Sequence, residues 1–519
     1  MGIAQWRDSG SDHRLLRAKI RLSHTTEKNI CYRQQRRKEV VYDDCVLEDS
    51  LSQGDWHIEE DPNVNYEMLL RGLRACAERA SKSRTTNLDR ISKTTKELLE
   101  RRRTLRLDPN ASHIERLVAN TSCRNALQEH LSKYRHKKIL EAAKRRMSLK
   151  KCRRDLRECN IPLATLLSED GTRTSSPREM EIITERFYSN LFRSSTPVSS
   201  PIIPTGEAPP RILPSEVRVA IKSMKPGTAP GPDFISADFL RAGGHPLHVI
   251  LAAHMTSYLQ KERIPDLWNS SRTVLIHKKG DREDLRNYRP ICLLSVLYKV
   301  YTKIILTRIS RMLDEAQPQE QAGFRQGFSC LDHIQTVSRV IEVCREYRLP
   351  LVLTFVDYEK AFDSVETNAI LSALVDQGVD ASYVRTLANC YERCTTRIQL
   401  FHRPLTIPIG KEVRQCDTIS TKLFTAALQW IMKSLSWEER GIRVDGRFLS
   451  NPRFADDIVL FSSSTNEAET MLNELNEAGK RIGLRINRKK TQLMKRTEEY
   501  NLKAPKSWKF RHTYTSDVL

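Results

Sequence analysis

The sequence predicts a mixed α/β fold of the α+β kind in its second half, preceded by a basic, mostly helical region. Three observations predict it. Short apolar runs with strand character, Arg272–His277, Leu351–Val356 and Ile458–Phe461, appear after about residue 213. Between them, Tyr298–Leu313 and Thr465–Ile482 carry apolar residues at helical spacing. In the second of these, Ala468, Met471, Leu472, Leu475, Ala478 and Ile482 share one face, and Gly483 is a natural stop. Residues 26–194 are highly charged with helical segments, and 195–212 is a Pro- and Ser-rich linker (Ser199, Ser200, Pro201, Pro204, Pro209, Pro210).

Composition narrows the partners. Of 519 residues, 86 are Lys or Arg and 64 Asp or Glu, a net charge of +22. That surplus favours a polyanion, nucleic acid before an anionic membrane surface. Between Lys133 and Arg157 there are twelve Lys or Arg against Glu141 and Asp155, too lopsided for ion pairing along a helix to neutralise. A hydrophobic fraction of 39% supports a core and excludes collagen and a wholly disordered chain. No stretch approaches the roughly 20 apolar residues of a membrane span. The start, Met1 to Asp8, has no apolar signal core, and Trp6 stands where myristoylation needs Ser or Thr. The 12 cysteines form no C-x-x-C pair, and Cys390 and Cys394 are only one helical turn apart. Reduced thiols are expected, in the nucleus or cytoplasm.

The residues that carry chemistry are carboxylates. Asp357 ends the apolar run 351–356, and Asp456 and Asp457 separate Phe454-Ala455 from the run 458–461. Adjacent acids are also what a solvated turn presents. Here their place between two short strands suggests a hairpin tip. Two strand ends delivering carboxylates to one edge make an all-oxygen site suited to Mg²⁺, which takes one or two carboxylates plus substrate phosphates. Two such ions clamp the attacking and leaving oxygens of an in-line phosphoryl transfer.

Around these acids the run Phe355-Val356-Asp357-Tyr358-Glu359-Lys360-Ala361-Phe362-Asp363 resembles the first catalytic motif of reverse transcriptases, and Phe454-Ala455-Asp456-Asp457 resembles their F/Y-x-D-D motif. Further matching runs are Asn287-Tyr288-Arg289-Pro290-Ile291, Gln321-Ala322-Gly323-Phe324-Arg325-Gln326-Gly327, Arg414-Gln415-Cys416-Asp417-Thr418-Ile419-Ser420 and Gly483-Leu484-Arg485-Ile486-Asn487. Order and spacing over residues 213–495 resemble the polymerase of non-long-terminal-repeat, LINE-like retrotransposons.

The resemblance implies a right-hand polymerase with fingers and palm over 213–495, the palm a small antiparallel sheet backed by helices. It implies RNA-templated attack of a primer 3′-hydroxyl on a deoxynucleoside triphosphate, with two Mg²⁺ on Asp357, Asp456 and Asp457. Phe362 would lie under the incoming sugar and exclude a 2′-hydroxyl; its other reading is a core aromatic at the start of a helix capped by Ser364. Lys278, Lys279 and Arg289 would grip the triphosphate, where charge builds on the leaving pyrophosphate; Lys278 and Lys279 also read as an exposed basic turn before Gly280-Asp281. Gln415 would pack near the template–primer and the nucleotide. Lys490, after an expected short strand Leu484–Asn487, reads equally as a general acid and as a surface charge. The basic helices of 85–157 would hold RNA through its phosphates. Partners are therefore an RNA template, a DNA primer and deoxynucleoside triphosphates, with no membrane.

Two positions depart from the family pattern: Cys416 stands where Gly is usual, and Thr421 where Pro is usual. Ser11-Asp12-His13 and the strand-like Leu15–Leu22 resemble the end of an AP-endonuclease-like nuclease, so residues 1–25 read as a C-terminal remnant with Asp12 and His13 inactive. No thumb or zinc knuckle is recognisable, 496–519 is an unassigned tail, and the chain reads as one piece of a retrotransposon reading frame. The alternative to an active polymerase is a catalytically impaired, nucleic-acid-binding remnant of one.

Overall fold

A computed structural model of the chain describes residues 40–83, 92–108, 110–144, 163–168, 170–401, 403–444 and 446–495. Asp12, His13, the strand expected at Leu15–Leu22, the basic stretch 145–157 and the tail 496–519 lie outside the described residues. Helices α1 (Asp44–Ser52) and α2 (Pro62–Ala80) start on aspartate caps, Asp43 and Asp61, whose side chains accept the N–H of Val46 and Asn63. Helices α3 (Lys93–Leu107) and α4 (His113–Lys144) run antiparallel: Cys123 Sγ donates to the Leu98 carbonyl at 2.9 Å, and Arg116 reaches the Leu105 carbonyl at 3.2 Å. Helices α5 (Pro177–Phe192), α6 (Pro214–Ser223) and α7 (Gly244–Gln260) then lead into strand β1 (Ser270–His277) and strand β2 (Tyr288–Leu293).

Helices α8 (Val296–Glu315) and α9 (Cys330–Glu346) precede β3 (Val352–Val356). After it come α10 (Ala361–Ser364), α11 (Thr367–Asp376) and α12 (Ala381–Tyr391), then β4 (Thr395–Gln399) and β5 (Pro404–Pro408). Helix α13 (Ser420–Met432), β6 (Arg453–Phe454), β7 (Asp457–Ser462), α14 (Thr465–Arg481) and β8 (Gln492–Lys495) complete the described chain. Thr421 lies in the first turn of α13, where proline is well tolerated, so either residue suits the helix start. Ser364 closes α10 instead of capping a helix, because α11 starts after Glu366. Leu484–Asn487 is not a strand: it makes one isolated bridge, Ile486 to Tyr358, and follows the bend of the loop after β3.

Two four-stranded sheets organise the molecule. One is wholly antiparallel, in the order β6-β7-β3-β8. The other runs β2-β1-β4-β5, with β1 and β4 parallel. The first sheet buries both faces. Val356, Ile458 and Leu460 join the main core with Met471, Leu472 and Leu475 of α14, while Leu353 and Phe461 pack against Val337, Val340 and Ile341 of α9. This explains why 351–356 reads as a continuous apolar run. Alternation puts Leu353, Phe355 and Asp357 on one face, and only its Asp357 end is left open, where Phe355 is exposed. The main core also takes in α1 and α2: Tyr66 of α2 donates to Asp233 Oδ2 at 2.9 Å, and that carboxylate also accepts from Ser295, the cap of α8.

Candidate active site

The β6–β7 hairpin has a two-residue loop, Ala455-Asp456, with Phe454 paired to Asp457. Ile458 pairs with Val356 on β3, so one further step of that register sets Asp457 opposite Asp357. The hairpin tip read from the sequence is thus present, and its two acids meet the end of the central strand. Asp456 is half-buried and its carboxyl is pushed up by burial, then by the charges of Asp457 and Asp357. Asp457 is pushed up by partial burial and then by Asp357. These three acids sense one another across a single sheet edge.

Lys490 is held against them. The turn after Ile486 is built on Asn487, whose N–H donates to the Asp357 carbonyl at 2.7 Å and whose own carbonyl accepts from Lys490 N–H at 3.1 Å. That turn carries Lys490 Nζ to 2.6 Å from Asp357 Oδ2. The β1–β2 hairpin contributes the other cations. Arg289 pairs across from Ile276, Lys278 and Lys279 follow β1, and Lys278 N–H donates to the Asn287 carbonyl at 2.9 Å. Lys278 lies at the surface, yet its ammonium is pushed down by desolvation and by Arg289, Lys490 and Lys279, while Asp357 holds it up. The basic turn expected at 278–279 therefore faces the acids of the other sheet.

Phe362 is half-buried, stacked on Phe424 with ring centroids 4.6 Å apart. It has a core partner on one side and a partly open face on the other. Its carbonyl accepts from Val413 N–H at 2.9 Å, which aligns the segment carrying Gln415. The Gln415 amide donates to Asp363, a contact the sequence did not foretell. Asp363 is buried and its carboxyl is pushed up to about 6 by that burial, against the pull of Gln415, Lys360 and Arg289. Glu412 is buried beside it, and its carboxyl is likewise pushed up, by burial and then by the Asp363 charge. Asp363 closes a motif whose other residues drew attention, and Glu412 lies two residues before another.

Cys416 has φ of 72° and is exposed. Glycine adopts that left-handed backbone without penalty, whereas a side chain with a Cβ is strained there. The departure from glycine thus has a conformational consequence and leaves the acids in place.

The donor set fits a hard divalent cation. It is oxygen only, the Asp357 charge raises the proton affinity of Asp456 and Asp457, and an ammonium ion-pairs Asp357. Among the described residues no three His, Cys, Asp or Glu groups form a ready cage. Mg²⁺ does not need one, because it keeps several waters and takes substrate phosphate oxygens as ligands.

Acids at one edge of an antiparallel sheet, faced by a basic hairpin from a second sheet, are the arrangement that a palm-type polymerase, a nucleotidyltransferase, would need. Residues 276–510 match the family model described as reverse transcriptase (RNA-dependent DNA polymerase), and the relatives this part of the chain resembles are named as products of non-long-terminal-repeat, LINE-like retrotransposable elements. Such domains work with divalent metal ions. The chain is 25% identical over 331 residues to the transposon TX1 uncharacterized 149 kDa protein of Xenopus laevis, a match covering 59% of this chain and 25% of that protein. It is 28% identical over 279 residues to the Pol polyprotein from the type-1 retrotransposable element R2 of Popillia japonica, covering 53% and 38%. It is 29% identical over 322 residues to the probable RNA-directed DNA polymerase from transposon BS of Drosophila melanogaster, covering 59% and 34%. The chain spans well under half the length of these relatives. Among the described residues, no helix is long and apolar enough to cross a membrane.

Two outcomes follow from this geometry. Cys416→Gly should stabilise the fold by about 0.5–1 kcal/mol in urea titration, relief of strain outweighing the looser unfolded chain; a destabilised variant would mean that the thiol packs usefully. Asp363 ionises later in the folded chain than in the unfolded one, so its contribution to stability is greatest below about pH 4 and is lost as pH rises to about 6. Asp363→Asn should therefore gain on the parent across that window and stay level above it, by on the order of 2–3 kcal/mol. Parallel unfolding curves from pH 4 to 8 would show that Asp363 ionises normally.

Proposed function

We propose that this chain polymerises deoxynucleotides on an RNA template, extending a primer 3′-hydroxyl with two Mg²⁺ held by Asp357, Asp456 and Asp457. The observation that carries the reading is the meeting of these acids with Lys278 and Lys490 across two sheets, with Arg289 beside Lys278. When bound, the two metal ions would ease deprotonation of the attacking 3′-hydroxyl and neutralise the leaving pyrophosphate.

The chain's own residues do the rest. Lys278, Lys279 and Arg289 attract the triphosphate and orient its leaving end. Lys490 gives up Asp357 as the substrate enters and stands ready to donate a proton to the departing pyrophosphate. Gln415, steadied by Asp363, supports the nucleotide and template–primer from below, while the Phe362 ring closes the space a 2′-hydroxyl would need. The paired helices α3 and α4 carry Arg101, Arg102, Arg103, Lys133 and Lys137 on their surface and hold RNA through its phosphates, in fingers-and-palm context over 213–495. The DNA primer places the work in the nucleus, after synthesis in the cytoplasm.

Primer extension by the purified chain on an RNA template tests the reading. Asp456→Asn should lower the rate by a factor on the order of 10³ or more, since it removes a charge the metal needs; equal extension by parent and variant would refute the site. Phe362→Val should raise ribonucleotide incorporation relative to deoxynucleotide while leaving the latter largely intact. If the ring acts only as a core residue against Phe424, both substrates would fall together with the melting temperature.

A further inference from the structure

The run Gln321–Gly327 has no part in the chemistry described so far, yet it is wrapped around the β6–β7 hairpin. Ala322 N–H donates to the Arg453 carbonyl at 2.9 Å, and Arg453 N–H donates to the Glu320 carbonyl at 2.6 Å. A parallel bridge joins Gln321 to Arg453, so 320–322 lies as a short extra edge beside β6. The first arm of the hairpin is thereby pinned on its outer side.

The Gln321 side chain, fully buried, turns back on the loop itself. Its Oε1 accepts the Ala455 N–H at 3.0 Å and the Gly323 N–H at 2.8 Å. Its Nε2 faces the Ala455 carbonyl at 3.4 Å. One amide thus serves both backbone polar groups of Ala455, which needs a side chain with a donor and an acceptor side by side.

Ala455 requires such support. Its φ is 59°, a region that a residue with a Cβ enters at a penalty and that a two-residue hairpin loop demands. Gly323 permits the approach, because a Cβ there would stand 2.2 Å from the Ala455 nitrogen. Arg325 closes the segment from behind, donating to the Pro318 carbonyl at 2.6 Å and the Gln321 carbonyl at 3.3 Å. Asp456 is the next residue after Ala455, so the orientation of the Ala455 peptide sets where the Asp456 carboxylate points.

We propose that Gln321 is a positioning residue for Asp456, holding the Ala455-Asp456 loop in its positive-φ conformation through the backbone of Ala455; this rests on the reading of Asp456 as a metal-holding carboxylate. Gln321 touches neither substrate nor metal. Its effect belongs in kcat, because nucleotide binding by the basic hairpin is left as it was.

The test compares the parent with Gln321→Leu, Gln321→Glu, Ala455→Gly and the double variant Gln321→Leu/Ala455→Gly. Primer extension, melting and amide exchange over residues 453–461 are measured on each. Gln321→Leu should lower kcat on the order of a hundredfold, as small misplacements at a reacting centre do. Its KM for the deoxynucleotide should stay within about threefold. Exchange at Ala455 should quicken about tenfold while Leu460, in the strand, is unchanged. Gln321→Glu keeps an acceptor and should recover about tenfold of the lost kcat. Ala455→Gly removes the φ penalty and should restore more activity to Gln321→Leu than it adds to the parent. A folded Gln321→Leu with parental kcat, or losses that simply add in the double variant, would overturn the proposal. Should Gln321→Leu fail to fold, Gln321→Glu decides: normal melting with reduced kcat supports the role, and normal melting with parental kcat overturns it. An inert parent would remove the polymerase reading instead, and exchange at Ala455 alone would then decide the role of Gln321.

Discussion

Negative charge gathered at one edge of a sheet resists being gathered, and much of the surrounding structure answers that resistance. The Ile458–Val356 pair brings Asp457 to the Asp357 end of β3, with Asp456 beside it, and the Asp357 charge disfavours the ionisation of both. Lys490 offsets part of it directly on Asp357. Lys278 lies within reach of the same acid but is crowded by Arg289, Lys490 and Lys279. The site is thus two blocks of like charge, each uncomfortable alone. On the proposed reading a divalent cation would relieve one block and a triphosphate the other, so joint binding of both would be the state with least internal repulsion.

Some of the molecule's backbone strain lies around the same place. Lys360, Cys416 and Ala455 have positive φ without being glycine and lie in the motifs that build the site. Strain of this kind persists only where the surroundings over-determine the backbone. The determinants are visible. Gln321 brackets Ala455, and the Lys360 ammonium lies over the Phe187 ring at 4.7 Å.

Arg414 ties this strained segment to the core. Its buried guanidinium donates to the carbonyls of Trp268 at 2.9 Å and Cys390 at 2.6 Å, and lies over the Tyr298 ring at 4.9 Å. The chain just before β1, α12 and α8 are thereby fastened to the residue preceding Gln415. A loop that must present Gln415 and tolerate Cys416 at positive φ gains a fixed base from its neighbour. The same neighbourhood explains Cys390 and Cys394, which are buried free thiols, Cys394 accepting from Arg414 at 2.7 Å.

By itself the sequence determined several of the elements and pointed to the acids. Alternation and helical spacing located β3, β7, α8 and α14 to within a residue or two, because burial imposes periods of 2 and 3.6 on the chain itself. Asp357, Asp456 and Asp457 drew attention because they interrupt apolar runs, and the resemblance of the surrounding residues to known motifs turned that contrast into a site. The extended course of Leu484–Asn487 was misread as a strand, since its partner is a bending loop and only one bridge forms. The roles that tertiary structure alone decided belong to residues acting across long separations. Gln321 meets Ala455 over 134 residues, Lys490 meets Asp357 over 133, and Gln415 meets Asp363 over 52. A hydrogen bond between distant residues leaves no period and no composition bias in the sequence, because its energy depends on three-dimensional proximity that only the packed core supplies.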